Sequence, residues 1–466
     1  MSVVTLLHQP QINMLIDLVR KYAVPGPRYT SYPTVPYWDS GRPLDQYWEE
    51  QCLQTFLKTN DNEGISLYIH LPFCESLCTY CGCNTRITVN HKVELPYILA
   101  ILNEWSKYLD LFAATPRIAE IHLGGGTPTF FSPENLKMLI DGILGTSIVT
   151  KNANFSFEGH PSNTTREHLQ TLFDLGFTRV SYGVQDFDIK VQDAIHRFQS
   201  VVEVKNVTNM AREIGYSSVN YDLVYGLPFQ TIDGVLETVS AVTELAPDRI
   251  AFYSYAHVPW IKPGQRKYTE IDLPAPEVKR RMYEKGREML EVAGYQEIGM
   301  DHFALRGDAL MLAEQNGTLN RNFMGYTTLQ TELLVGLGTS AISDCGTAYI
   351  QNTKTVEGYQ QQVRSGAWLY FRGHLLNVED RIIRQHISNL MCRFTTDWSD
   401  EQLQTDAWFE GLERIVEFIK DGLLIQEPFK LTVTEKGKGF VRNICMAFDA
   451  RLWRNLPSSQ LFSSTI

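Results

Sequence analysis

The sequence predicts an α/β protein built on a partial barrel of six strand–helix units, a (β/α)6-type arrangement with an N-terminal arm and a mainly helical, winged-helix-like C-terminal domain. Two observations carry the barrel. Short runs rich in β-branched and aromatic residues alternate with longer amphipathic stretches, and each run is closely followed by a conspicuous polar or glycine residue. Such alternation implies a parallel sheet wrapped by helices. The third observation is a change after residue 375, where helical patterns lead into a turn–strand ending.

The arm, residues 1–60, contains Pro25-Gly26-Pro27-Arg28-Tyr29-Thr30-Ser31-Tyr32-Pro33, whose prolines forbid a helix and imply ordered extended chain. The barrel and its extension occupy 61–375. Strand runs fall at 65–71, 119–123, 154–157, 179–184, 218–221 and 249–254, and helical candidates at 133–144, 166–175, 201–214 and 234–245. Ser132 before Pro133 supplies an N-cap hydroxyl and a proline at the first helical position. Six units favour a partial barrel over a full eight-fold one. After the runs come Cys74, then Gly124 to Thr127, Glu158, Gln185, Asp222, and Tyr255 to His257. The C-terminal ends of barrel strands converge on one mouth, where active sites are built. The C-terminal domain, 376–466, reads as helices at 379–392 and 411–421, then strands at 422–425 and 431–434.

Hydrophobic residues make up 44% of the 466, enough for a large core, and the formal net charge is −11. With no long basic block, the winged-helix-like ending reads as an interaction or lid domain and no nucleic-acid partner is expected. The first 22 residues lack the pattern of a signal peptide, and no window approaches the ~18 apolar residues of a membrane span. A monomeric protein of the cytoplasm, with no membrane partner, is expected.

Eight cysteines are unevenly spread: Cys74, Cys78, Cys81 and Cys83 crowd one segment, while Cys52, Cys345, Cys392 and Cys445 are scattered and read as core residues. Crowding inside a large chain without a secretory signal points to metal. Cys74-Glu-Ser-Leu-Cys78-Thr-Tyr-Cys81 places three thiolates on one tight loop, enough for three irons of a cubane with the fourth left open. Iron–sulfur clusters more often take four cysteines. A zinc site or a plain electron-transfer cluster would recruit Cys83, but Gly82 alone separates it from Cys81, which is tight for a tetrahedral chelate. A three-cysteine loop is what radical S-adenosylmethionine (SAM) enzymes use: SAM chelates the open iron and is split to a 5′-deoxyadenosyl radical. Gly124-Gly125-Gly126-Thr127-Pro128 lies one strand later, where backbone without Cβ lets a ligand approach. A second pattern, Gly336-Leu-Gly338-Thr-Ser-Ala341, lacks a clear preceding strand and an acidic residue at the usual offset, so a dinucleotide site is rejected.

Taken together, these residues resemble the oxygen-independent coproporphyrinogen III oxidases, a radical SAM family. The likeness runs through Pro25 to Pro33, Tyr68-Ile-His-Leu-Pro-Phe-Cys74, Cys81-Gly-Cys83-Asn84 and Ile121-His-Leu-Gly-Gly-Gly-Thr-Pro-Thr129. It continues through Gly183-Val-Gln-Asp-Phe187, Asp222-Leu-Val-Tyr-Gly-Leu-Pro228, Gly264-Gln-Arg-Lys267, Asp301-His-Phe-Ala304, Asn320-Arg-Asn-Phe-Met-Gly-Tyr-Thr-Thr328 and Arg442-Asn-Ile-Cys-Met446. The resemblance implies cluster ligation by Cys74, Cys78 and Cys81, with Cys83 not a ligand. It implies two SAM molecules held by Tyr68, Tyr80, Gly125, Gly126, Thr127, Glu158, Gln185, Arg197, Asp222, Ala256 and Ile342, with Tyr68, Gln185 and Asp222 the candidates for catalysis. Tyr80 stands where the best-known members carry Phe. The implied reaction converts two propionates of coproporphyrinogen III to vinyl groups, giving protoporphyrinogen IX for haem synthesis, with reduced flavodoxin or ferredoxin as electron donor. A haem-trafficking relative would lack the Cys-Gly-Cys-Asn feature and usually the long arm. A radical SAM enzyme acting on another tetrapyrrole is the other alternative.

The substrate carries four carboxylates, and Arg is their usual bidentate partner. Arg28 in the arm and Arg321 in the Asn-Arg-Asn-Phe run are the expected clamps for propionates that are not decarboxylated; Arg266 and Lys267 are the other cations noted.

Overall fold

The computed structural model describes residues 17–38, 45–366, 368 and 370–465. Helix α1 (Asp45–Thr59) leads into strand β1 (Ile65–Leu71). Six parallel strands follow one another across the sheet: β1, β2 (Arg117–Gly125), β3 (Ile148–Gly159), β4 (Phe177–Gln185), β5 (Ser218–Tyr225) and β6 (Arg249–Ser254). Between them run α2 (Glu94–Phe112), α3 (Pro133–Leu144), α4 (Arg166–Asp174), α5 (Ile189–Ile195), α6 (Val201–Ile214) and α7 (Ile232–Leu245), and α8 (Pro276–Val292) follows β6. Helix starts are well specified locally. The Ser132 hydroxyl accepts from Asn135 N, Ser200 and Glu203 form a capping box on α6, and Thr231 caps α7, which therefore begins two residues before the apolar pattern suggests.

The sheet extends beyond the six units to twelve strands. An antiparallel pair, β7 (Tyr295–Gly299) and β8 (His302–Leu305), closes the β6 side. On the β1 side lie β9 (Leu334–Leu337), β10 (Ile342–Asp344), β11 (Ala348–Gln351) and β12 (Arg372–Leu375). Strand β9 runs parallel to β1, pairing Tyr68 with Gly336. The glycine run rejected as a dinucleotide site thus contains a strand after all; Gly336 sits in it because any Cβ would strike the Ile342 backbone at 2.4 Å. The sheet is open, a partial barrel.

Alternation along the strands decides what faces where. In β1, Ile65, Leu67, Ile69 and Leu71 are fully buried against the helices, and Ser66, Tyr68 and His70 point the other way, into the barrel. The pattern repeats with Ile121 and Leu123 outward against Glu120 and His122, with Phe155 and Phe157 against Ser156 and Glu158, and with Val219, Tyr221 and Leu223 against Asn220 and Asp222. The barrel therefore has an apolar helix-facing shell and a polar interior.

A second apolar cluster joins the arm to the C-terminal region. Tyr22, Tyr29 and Tyr32 pack with residues of β7–β8, of α9 (Val378–Arg393), α10 (Asp406–Arg414), α11 (Val416–Lys420) and α12 (Val441–Phe448), and of a three-stranded sheet. That sheet consists of Thr395–Asp397, Leu424–Glu427 and Lys430–Val433. The predicted helix over 411–421 is two helices, α10 and α11, broken at Ile415. The buried Arg442 guanidinium donates to the carbonyls of Gly26 and Pro27 in the arm and of Ser464 and Thr465 in the tail, fastening the Pro-Gly-Pro segment.

At the β6 end, Arg249 Nε reaches both oxygens of Asp308 at 2.8 Å, with both side chains under 10% exposed, and Asp308 also accepts from Leu310 N. Breaking a buried pair by removing one partner typically costs about 3–5 kcal/mol. Asp308→Ala should lower the thermal unfolding midpoint by several degrees, whereas Lys137→Ala, which removes an exposed pair with Asp141, should leave it nearly unchanged. Equal midpoints for the two variants would contradict a structural role for the buried pair.

Candidate active site

A cavity of about 550 Å³ opens at the C-terminal ends of β1 to β5. It is lined by Cys74, Cys78, Tyr80 and Cys81 from the loop after β1, Gly125 to Thr127 at the end of β2, Glu158 in β3 and His160 just after it, Gln185 at the end of β4 and Arg197 beyond, and Asp222 from β5. Five of the six post-strand features expected from the sequence meet here. The sixth differs: Tyr255 and His257 turn toward Tyr268, with Tyr255 and Tyr268 hydroxyls 2.7 Å apart, and Tyr253 lines the cavity instead. Of the expected SAM positions, Tyr68, Ala256 and Ile342 do not line this cavity.

The cysteine loop is pinned along its length. Thr79 bonds the carbonyls of Ala194 and Ile195 through its hydroxyl and amide, and His196 Nδ1 lies 3.1 Å from Leu77 O. The buried Gln265 amide donates to Tyr80 O and Ala256 O and accepts from Val258 N, which joins Ala256 to the loop although it is outside the cavity. Lys262 Nζ donates to Cys83 O at 3.0 Å. Each of three sulfurs has a donor within reach: Thr127 Oγ1 at 3.4 Å from Cys74, Arg197 Nη1 at 3.8 Å from Cys78, and the Cys83 amide at 3.4 Å from Cys81. Burial pushes the Cys74 thiol up to about 11, a value that binding to a cation reverses. Among the described residues no three Cys, His, Asp or Glu side chains converge on one ion position. Three thiols on one short loop, each met by a donor, are a donor set that fits a cubane taking one thiolate per iron. Cys83 is exposed and serves Cys81 through its amide.

Inside the barrel the polar alternation becomes a network. His122 Nδ1 lies 2.8 Å from Ser156 Oγ, and its Nε2 is 3.5 Å from Glu158 Oε1. Asp222 accepts from Asn220 Nδ2 at 2.8 Å and Ser181 Oγ at 3.2 Å. Glu158 also accepts from Gly125 N, so two carboxylates face one cavity. Burial, reinforced by Glu158, pushes Asp222 up to about 7. The Arg197 guanidinium, held by Gly183 O and Gln199 Oε1, is the cavity's fixed cation. Gly125, at φ +115°, fits only without a side chain, because a Cβ would meet the His70 ring at 2.7 Å.

Behind the loop stand residues that sequence reasoning passed over. His70 Nε2 donates to Asn84 O at 2.8 Å, which leaves Nδ1 to accept from Tyr68 OH at 3.1 Å. Burial keeps this imidazole neutral by lowering its pKa. Tyr97 OH donates to His70 O and accepts from Thr339 N. The buried Glu104 accepts from Gly338 N at 2.9 Å, Asn352 Nδ2 at 2.7 Å and Tyr359 OH at 2.6 Å. Glu104 sits at a helix position where charged residues are ordinarily solvated, and only its place in an otherwise apolar helical stripe could have marked it.

A partial barrel with three pinned thiols on the loop after its first strand defines a radical SAM protein, and the Radical SAM superfamily model matches residues 68–242. The chain is 39% identical over 463 residues to the oxygen-independent coproporphyrinogen III oxidase of Pseudomonas aeruginosa, covering 97% of this chain and 98% of that protein. The Helicobacter pylori protein of that name is 39% identical over 442 residues, with coverage of 93% and 95%. The solved structure of the radical SAM coproporphyrinogen III oxidase from Escherichia coli superposes with a TM-score of 0.87 at 37% identity, over 93% of this chain and 98% of that one. The chain belongs to the family of oxygen-independent coproporphyrinogen III oxidases, and its cofactors are a [4Fe–4S] cluster and SAM.

An acid raised above its unfolded value stabilises the fold while protonated, and that contribution is lost as pH rises through the folded value. The stability of the cofactor-free protein relative to Asp222→Asn should therefore fall between about pH 4 and about pH 7, measured by thermal unfolding. A pH-independent difference would mean that Asp222 is solvated as an ordinary carboxylate.

Proposed function

We propose that this chain oxidatively decarboxylates two propionates of coproporphyrinogen III to vinyl groups, giving protoporphyrinogen IX in oxygen-independent haem synthesis, and that the cavity at the strand ends is where it does so. The observation that carries the reading is the convergence of three thiols, a glycine turn, two carboxylates and one arginine on a single cavity. The cluster and SAM supply a carbon radical able to take a hydrogen atom from a propionate β-carbon. Cys74, Cys78 and Cys81 hold the cluster. Gly125 and Gly126 let backbone reach the methionyl amine, and Thr127 steadies Cys74. Glu158 and Asp222 accept hydrogen bonds from cationic or hydroxyl groups of SAM, and Arg197 offsets the negative charge of the thiolates and of the SAM carboxylate. Gln185 closes the β4 side and Tyr80 gives a ring for adenine.

Two SAM molecules are proposed. The cavity continues past Glu158, Ser181, Asp222 and Tyr253 into a second space of about 140 Å³ inside the barrel, which supports room for more than one ligand. Tyr68, Ala256 and Ile342 complete the proposed SAM contacts, Tyr68 through its bond to His70. In this reading the arm and the C-terminal region cap the mouth and keep water from the reacting carbon.

Arg28 and Arg321 remain the proposed propionate clamps. Arg28 lies over the Tyr253 ring, donates to Ser254 O and stands 3.7 Å from Asp301. Arg321 stacks on Tyr326 and buries Nε and Nη1 without hydrogen-bond partners among the described residues, which leaves them for a carboxylate. Arg266 and Lys267 cap backbone carbonyls of Pro259 and Asp193 on the surface and are not part of the proposal. A monomer of the cytoplasm reduced by flavodoxin or ferredoxin is the proposed working form; among the described residues no helix is long and apolar enough to cross a membrane.

Reconstituted protein supplied anaerobically with SAM, dithionite and coproporphyrinogen III should release carbon dioxide and yield protoporphyrinogen; SAM cleavage with no carbon dioxide would refute the substrate. Cys78→Ala should lose the cluster's visible absorption while Cys83→Ser keeps it, and iron loss in the second would argue for four-thiolate binding. Arg28→Ala and Arg321→Ala should each raise the KM for coproporphyrinogen III about tenfold or more, the loss of one charge-assisted pair. An unchanged KM in both would put the clamp elsewhere.

A further inference from the structure

Outside the cavity, on the far edge of the cysteine loop, three cations stand together. Lys262 donates to Cys83 O, Asn84 Nδ2 donates to Lys354 O at 2.8 Å, and Lys354 Nζ and Arg372 both lie over the Phe371 ring, at 4.8 and 5.1 Å. Partial burial, Arg372 and Lys262 together lower the Lys354 pKa, so Lys354 stands within the field of both neighbours. Among the described residues no carboxylate pairs with any of them, and Glu357, three positions beyond Lys354, is taken by Arg86 at 3.0 Å. Apolar surface is mixed in: Phe371, Trp260 and Ile261 are each about half exposed. In a chain of net charge −11 this is a local positive face with an aromatic centre, one residue from the cluster loop.

Uncompensated cations around exposed rings make the composition of a transient protein interface, where charge sets the on-rate and apolar contact holds the encounter. The cavity where substrate is read to bind is not lined by Lys262, Lys354, Phe371 or Arg372. Of the chain's residues outside the described part, 1–16 contain no Asp or Glu and 39–44 contain only Asp39, a single carboxylate against three cations. The reaction read above needs an electron delivered from outside to the cluster, and Lys262, through its bond to Cys83 O, ties this face directly to the cysteine loop that lines the cavity.

We propose that the face formed by Lys262, Lys354 and Arg372 around Phe371, Trp260 and Ile261 is the docking surface for an acidic one-electron carrier protein. The inference rests on the radical SAM reading. In the docked complex one electron leaves the carrier's reduced cofactor and enters the cluster, so the carrier is oxidised by one electron and the cluster reduced by one, with no proton or group transferred. Steering by such a face falls off within a Debye length, about 10 Å at 0.1 M salt.

The test is binding of the holoenzyme to an acidic bacterial flavodoxin in its oxidised FMN form, followed by titration calorimetry or surface-immobilised kinetics. Affinity should drop steeply with added salt, and Lys262→Glu/Lys354→Glu should weaken binding at low salt at least tenfold. Lys354→Glu alone, at an exposed position, should weaken it several-fold while leaving dithionite-driven turnover unchanged. Flavodoxin binding that is absent, or equal for wild type and both variants, overturns the docking face. A raised KM for coproporphyrinogen III in Lys354→Glu with dithionite as reductant would assign the cations to substrate and also overturn it. Loss of dithionite-driven SAM cleavage in the wild type itself would instead refute the radical SAM reading.

Discussion

Glu104 is the constraint on which the back of the active site depends. A carboxyl buried in an apolar shell must be met by donors, and here all are supplied from the far side of the sheet: the Gly338 amide, the Asn352 amide group and the Tyr359 hydroxyl. Burial still pushes it up to about 7. Those bonds fix the turn after β9, and Gly338 at φ +95° brings that turn against His70 O, where a Cβ would stand at 2.6 Å. Tyr97 ties the same carbonyl to Thr339. The His70 ring is thereby set between Tyr68 and Asn84, so the first and last parts of the cysteine loop are positioned from behind before any metal arrives.

Electrostatics then divides the molecule into an inside and an outside. Within the barrel, carboxylates at Glu158 and Asp222 face thiols and Arg197, a near-balanced set that suits a ligand carrying both an amine and a carboxylate, as SAM does. Cations kept in or near the interior are individually fixed: Arg249 by Asp308, and Arg28 by Ser254 O with Asp301 at 3.7 Å. Arg321 keeps two guanidinium nitrogens, Nε and Nη1, without hydrogen-bond partners in the described residues, where Arg249 keeps only Nη1. An overall acidic chain can thus hold an anionic macrocycle, because the relevant field is local and the surface charge beyond a Debye length is screened.

Much of this was legible in the sequence, and the exceptions have physical reasons. Helices with a strong cap and stripe, at Pro133 and at Val201, begin and end where the pattern says. Strands were read too short at their C-terminal ends, because Glu158, Gln185 and Asp222 interrupt the apolar run while still lying in β3, β4 and β5. Polar residues inside a parallel strand ordinarily argue against it; here they face the polar interior of the barrel. Strand β9 was missed because it is only four residues long and holds Gly336, so no clear strand showed at the glycine pattern, and the 411–421 helix was drawn unbroken because nothing in its composition marks Ile415. The cysteine spacing marked the candidate ligands, but the supporting roles of His70, Glu104 and Gln265 were not legible even where His70 and Gln265 lie in the segments that carry the resemblance, since each acts through tertiary contacts.

The arm and the C-terminal region follow from one further requirement. A Pro-Gly-Pro segment offers few amides for a ladder of its own, so its carbonyls need donors from elsewhere. Arg442 provides them in a site buried enough to lower its own pKa to about 10, and Tyr29 donates to Asp449 while Asn443 donates to Tyr22 O. Arm, tail and C-terminal helices are therefore one unit, and its contact with the barrel runs through β7, β8 and the Asn320–Asn322 hairpin strand. Arg28 leaves the arm only two residues after Gly26, and Arg321 leaves that hairpin strand. The arm and the hairpin strand, both packed on this unit, are thus the elements that carry the two arginines proposed to meet propionates.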